Sequence, residues 1–145
     1  MSKKITPCLL YTKDAAKVAK FYTSIFKDGK ILHSDPMATS FRIGGQEFLA
    51  LNGPGKKFTW AVSFMIDCKD QKEVDHFWNK LSKGGKEIRC GWLEDKYGMA
   101  WQVVPSVMMK YLGASDRTKA NRAIAAMMKM KKLDIAKLKA AFDGK

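Results

Sequence analysis

Few side chains in this 145-residue sequence have the type and spacing that chemistry needs. His33 and His76 are the only imidazoles, and Cys8, Cys68 and Cys90 are scattered without a C-x-x-C pair. A zinc site needs three or four such ligands converging. The spacing therefore predicts neither a metal knuckle nor a disulfide framework, and the three thiols are expected to be reduced. The groups that could move protons are Glu47, Glu94, Asp95 and Tyr97. Strand parity sets Glu47 opposite Ala50, and the other three fall in the turn EDKYG, where solvation is expected. No Ser-His-Asp or Cys-His arrangement is legible. What stands out is Gln102, a polar residue inside the apolar run AWQVVP (100–105). An amide carries two donors and an acceptor, so it can orient a carbonyl or hydroxyl without adding charge. Two roles are open to it: an anchor in a small-molecule pocket, or a bond to a backbone group inside the fold.

The elements that must position Gln102 follow from periodicity. ITPCLLY (5–11) reads as a strand. Asp14 is placed to cap a helix running to about Phe26, whose Val18, Phe21, Tyr22 and Ile25 form one apolar stripe. Strands are predicted at 30–34, 38–43 and 46–52, with Gly44-Gly45 as the hairpin turn between the last two. Asn52-Gly53-Pro54-Gly55 is a loop signal. The order then begins again: a strand at 60–66, Asp70 as cap, a helix to about Lys83 with Val74, Phe77, Trp78 and Leu81 on one face, then strands at 86–93 and 99–104.

The second half copies the first. An offset of 56 residues sets Lys13-Asp14 on Lys69-Asp70, and FYTSIFKDGK (21–30) on FWNKLSKGGK (77–86), and the same offset is expected to align the preceding strands. The predicted class is α+β: two βαβββ repeats, about 4–53 and 59–105, forming an incurved sheet with a cleft, followed by C-terminal helices. Residues 1–105 form the paired domain. Residues 106–145 are a helical extension packed on it, with helices at 106–112, about 118–130 and 134–142. By strand alternation, Phe48, Met65 and Trp92 are the expected companions of Gln102 on the pocket lining.

Net charge is +13, and residues 106–145 carry ten Lys/Arg against three Asp/Glu. A basic surface of this kind raises nucleic acid as a partner. The extension's basic residues, however, lie opposite an apolar stripe of Ile124, Met127, Met128, Ile135, Leu138 and Phe142, so a solvated helix face is the favoured reading. No apolar stretch approaches the ~20 residues a membrane helix needs, and MSKKITP lacks a signal-peptide core. A cytoplasmic location is expected, with no membrane partner.

Taken together, ITPCLLY, GGQEFLALNG (44–53), AVSFMIDCKDQKEVDHFW (61–78), CGWLEDKYGMAWQVVP (90–105) and the tail AAMMKMKKLDIAKLKAAF resemble the PhnB-like group of the glyoxalase/bleomycin-resistance/dioxygenase, or vicinal-oxygen-chelate, superfamily. The resemblance implies the paired βαβββ fold, a homodimer, and, in metalloenzyme members, four inward ligands to a divalent ion acting as a Lewis acid. Those positions fall here on Pro7, Ala50, Ala61 or Ser63, and Gln102. Only Gln102 carries a competent ligand atom, so no metal is predicted. The group often bears a 3-demethylubiquinone methyltransferase label. Binding S-adenosylmethionine normally calls for a Gly-rich strand-to-helix turn, and Thr12-Lys13-Asp14 has no glycine, so no cofactor is predicted. The sequence thus points to a small-molecule-binding protein of unnamed ligand. The alternatives are a metal-independent enzyme of the same superfamily, or an interaction module that uses the basic tail.

Overall fold

The computed structural model describes residues 4–145, in two units, 4–57 and 58–145. The first unit holds β1 (Cys8–Tyr11), α1 (Ala15–Ile25), β2 (Lys30–Ser34), β3 (Ala38–Ile43) and β4 (Gln46–Asn52). Its sheet has the order β1-β4-β3-β2, with β1 parallel to β4 and the other pairs antiparallel. Alternation decides which face α1 covers: Leu9, Tyr11, Phe41, Phe48 and Ala50 are buried, and Tyr22 of α1 lies 6.0 Å from the Phe41 ring. The hairpin turn forms as predicted, with positive φ at Gly44 and Gly45. Asp28 holds it by accepting both glycine N–H groups, at 2.8 and 2.7 Å.

The second unit repeats the order with β5 (Phe64–Cys68), α2 (Gln71–Ser82), β6 (Lys86–Glu87), β7 (Trp92–Glu94) and β8 (Ala100–Pro105), in a sheet ordered β5-β8-β7-β6. These are the two predicted βαβββ modules. Ile66, Cys68, Leu93, Trp101 and Val103 are buried on one side of this sheet, together with Val74, Trp78 and Leu81 of α2. Three helices complete the unit: α3 (Ser106–Leu112), α4 (Arg117–Met128) and α5 (Ile135–Asp143). Their core, Met108, Leu133 and Leu138, closes over Val104 at the end of β8. Gln71 of α2 fastens the connector between α4 and α5, donating to Leu133 O at 3.0 Å and accepting from Ile135 N at 2.8 Å.

Four expectations need correction. The strand predicted at 60–66 begins at Phe64, because residues 58–63 run irregularly and Trp60 is pinned by its indole N–H to Glu94 Oε2 at 2.8 Å. The strand predicted at 86–93 is split in two, since Cys90 and Gly91 both take positive φ, 59° and 84°. Asp14 occupies the N-cap of α1 without a side-chain bond, and Asn52 Oδ1 accepts from Ala15 N instead at 3.0 Å. Finally, the offset of 56 that aligns the helices fails for the strands before them. Two residues separate buried Tyr11 from Asp14, whereas one separates buried Cys68 from Asp70. The strands therefore match at an offset of 57, and Thr6, not Pro7, corresponds to Ser63.

Candidate ligand-binding site

Along β8 every residue is buried except Gln102. Ala100 and Val104 share its face, so Gln102 sits at a gap between two covered positions. Its Cα partners across the sheet are Met65 on β5 and Trp92 on β7. Directly paired residues project to the same side. Trp92, Gln102 and Met65 therefore form one row across three strands, with Trp92 and Gln102 half-buried and Met65 61% exposed.

The amide is fixed from one side. Gln102 Nε2 donates to Ser63 Oγ at 3.0 Å, and Ser63 lies in the irregular segment that Trp60 and Glu94 tie down. A hydroxyl can donate or accept, so Ser63 can hold either orientation of the amide. Glu94 shares the face of Trp92, two residues along β7. Trp60 is 50% exposed. It is the site neighbour that sequence reasoning missed. Periodicity assigned it to a strand, and the signal that could have found it is the Trp60-to-Glu94 pairing, which only the fold creates.

Phe48 lies on the helix-covered face of its own sheet. It belongs to the first unit, is 5% exposed and stacks on Phe41 with ring centroids 5.4 Å apart, in the layer that α1 covers. The first-unit row that matches Trp92, Gln102 and Met65 is Ser40, Leu49 and Cys8, the neighbours across β3, β4 and β1. The one-residue slip moves the position matching Gln102 from Ala50 to Leu49. That row has no amide.

The turn EDKYG is not the solvated loop expected of it. Asp95 is 2% exposed, and its carboxylate accepts from Tyr97 N at 2.9 Å, Met99 N at 3.0 Å and Trp101 Nε1 at 2.9 Å. A carboxylate used this way organises the β7–β8 hairpin. Burial pushes the Cys68 thiol up to about 12, with Glu73 and Asp67 adding to the rise.

Neither group that the fold class brings to mind fits these residues. Around Gln102 the donors are a neutral amide and the Ser63 hydroxyl, already bonded to each other, with the single carboxylate of Glu94 on the same face accepting from Trp60, and a divalent ion needs several charged or imidazole ligands. Among the described residues no group of three or more His, Cys, Asp or Glu comes together. For S-adenosylmethionine the β1–α1 turn lacks glycine, and the first amide of α1 is occupied by Asn52.

A model of the family described as 3-demethylubiquinone-9 3-methyltransferase matches residues 3–104. Among solved structures, the chain is similar to a PhnB protein of Bacillus cereus whose description carries the same methyltransferase label. The two are 27% identical, over 71% of this chain and 99% of that one, with a TM-score of 0.65. A Pseudomonas aeruginosa protein is 17% identical, over 72% of this chain and 98% of its own, with a TM-score of 0.61. The fosfomycin resistance protein FosX of Listeria monocytogenes, complexed with Mn(II) and sulfate, is 15% identical over 78% and 97%, with a TM-score of 0.58. At those identities the last two speak to the fold alone. No curated protein matches the sequence.

Proposed function

The chain belongs to the 3-demethylubiquinone-9 3-methyltransferase family, and on that footing we propose that it is a PhnB-like small-molecule-binding protein in which Gln102 anchors the ligand. The observation that carries this reading is the row Trp92-Gln102-Met65, whose central amide is tethered by Ser63 and left uncovered between buried neighbours. A flat indole, a thioether and an oriented amide suit an uncharged, partly unsaturated molecule with a carbonyl or hydroxyl. The Mn(II) of FosX and the methyltransferase label belong to the relatives. The residues around Gln102 fit neither a metal ion nor a methyl donor.

The reading includes a homodimer. Trp60, Val62 and Met65 are all at least half exposed within six residues, and an apolar cluster of that kind favours burial against a second copy. Light scattering should give twice the chain mass, and a monomer that persists at high concentration removes this part. A cytoplasmic location agrees with three unpaired cysteines.

The test is native mass spectrometry of the purified protein, followed by thermal shifts against a panel of quinones, phenols and aliphatic carbonyl compounds. A ligand that binds the native state raises apparent stability. At least one class should stabilise the wild type and not Gln102→Leu. Equal shifts in both proteins would remove Gln102 from the site, and one metal ion per chain bound at Gln102 would overturn the metal-free reading.

A further inference from the structure

Away from the Gln102 row, Cys90 and Met128 bring two soft sulfur donors together. Cys90 Sγ lies 3.8 Å from Met128 Sδ. Neither side chain is buried: Cys90 is half-exposed and Met128 is 51% exposed. The backbone sets this approach. Cys90 N donates to Met130 O at 2.8 Å and Gly91 N to Lys131 O at 2.9 Å, so the loop before β7 is bonded to the connector that follows α4. Cys90 holds φ 59°, a left-handed conformation that a residue with a Cβ rarely adopts. The thiol is thereby directed at the C-terminal end of α4, where Met128 is the last helical residue.

We propose that Cys90 and Met128 form a binding site for a soft monovalent metal ion of the copper(I) class. With metal–sulfur bonds of about 2.3 Å, a sulfur separation of 3.8 Å corresponds to an S–metal–S angle of about 110°, open enough for both atoms to hold one ion. Thiolate with thioether is the donor pair that selects copper(I) over harder ions. Charge acts in the same direction. On binding, the Cys90 S–H bond is replaced by a sulfur–metal bond and the proton leaves to solvent, so thiolate and monovalent ion form a neutral unit. Arg89 and Lys129 flank the two sulfur residues in the chain, and Lys131 is held to the Cys90 loop through its carbonyl, which accepts from Gly91 N at 2.9 Å. A divalent ion would leave a net positive charge beside these cations, which disfavours zinc. Two protein donors leave a coordination position open to solvent, so the ion is exchangeable and not a structural one.

The experiment uses the full chain in a Cys8→Ser background, which removes the other exposed thiol, and titrates copper(I) anaerobically against a coloured chelator. One ion per chain is expected. Cys90→Ser should abolish binding, and Met128→Leu, which keeps the bulk of the side chain, should weaken it by roughly tenfold or more. Silver(I) added to protein with labelled methionine methyl groups should shift the Met128 methyl resonance first, a readout independent of affinity. The proposal is overturned if Met128→Leu binds as tightly as its parent, since a lone thiol then suffices. It is equally overturned if zinc(II) competes on equal terms, or if the Met128 methyl stays unmoved at saturation. Urea midpoints of both variants, matched to the parent, keep a folding defect from imitating loss of the site.

Discussion

The Asp95 carboxylate accepts the Trp101 indole N–H at 2.9 Å inside the β7–β8 hairpin, tying the residue after Glu94 to the residue before Gln102. This bond explains why the string GWLEDKYGMAWQ keeps its acid and its tryptophan six residues apart. The acid holds the hairpin, and the hairpin places Gln102. Replacing Asp95 with Asn sets an amide N–H against donors it must accept from, at a buried site. Asp95→Asn should cost about 2–4 kcal/mol, read from urea denaturation. An unchanged midpoint would show that the turn does not depend on the charge.

Gly91 should tolerate no side chain. Its φ is 84°, and a Cβ there would lie 2.9 Å from both Leu133 Cδ1 and Val103 O. Gly91→Ala is expected to lose about 2 kcal/mol or more, from strain and from displacement of Leu133. Gly98 offers a control. It has φ 88° but open space around it, so Gly98→Ala should cost less, with backbone strain alone at work.

The C-terminal helices should loosen as a group when Gln71 is changed. Gln71→Ala removes both bonds to the α4–α5 connector and frees Asp75 from one partner. Limited proteolysis should then cut first around residues 129–134, and amide exchange there should accelerate while β5 and β8 stay protected. Uniform exchange across the second unit would show instead that the extension and the sheet open as one.

Asp75 should contribute to the acid limb of stability. The Gln71 amide and then Lys132, whose Nζ is 2.9 Å away, hold its carboxyl below the ordinary value. A lowered folded value means the contribution is fully present above the unfolded value of about 3.9 and is lost as pH falls through the folded one. Asp75→Asn should therefore flatten the stability profile below about pH 4 and leave its slope near neutrality unchanged. The pair is half-exposed, so added salt should shrink the effect.

Thiol labelling at pH 7 should separate the cysteines. Cys8 is exposed and Cys90 half-exposed, whereas Cys68 is fully buried with its thiol pushed up to about 12, first by burial. Two thiols should react in the native protein, and the third only after denaturation. Rapid reaction of Cys68 would reveal opening of β5 from α2.

The sequence by itself determined the class and order of the elements. The apolar stripes of α1 and α2 with their periodicity, the Gly44-Gly45 turn and the repeated strand-helix-strand-strand-strand order are local signals, readable along the chain because each depends on neighbours a few residues away. It also singled out Gln102, a polar residue whose strand neighbours are apolar. Only the tertiary structure decided what surrounds Gln102. Its row is built from β5 and β7, and pairing partners depend on register, which no local pattern states. A single extra residue between Tyr11 and Asp14 moved the first-unit counterpart from Ala50 to Leu49 and left Phe48 in the helix-covered layer. The same reason hid Trp60 against Glu94, Asp95 beneath Trp101 and Met128 against Cys90: each pair joins residues 6 to 38 positions apart. Such contacts exist only once the strands and helices have packed.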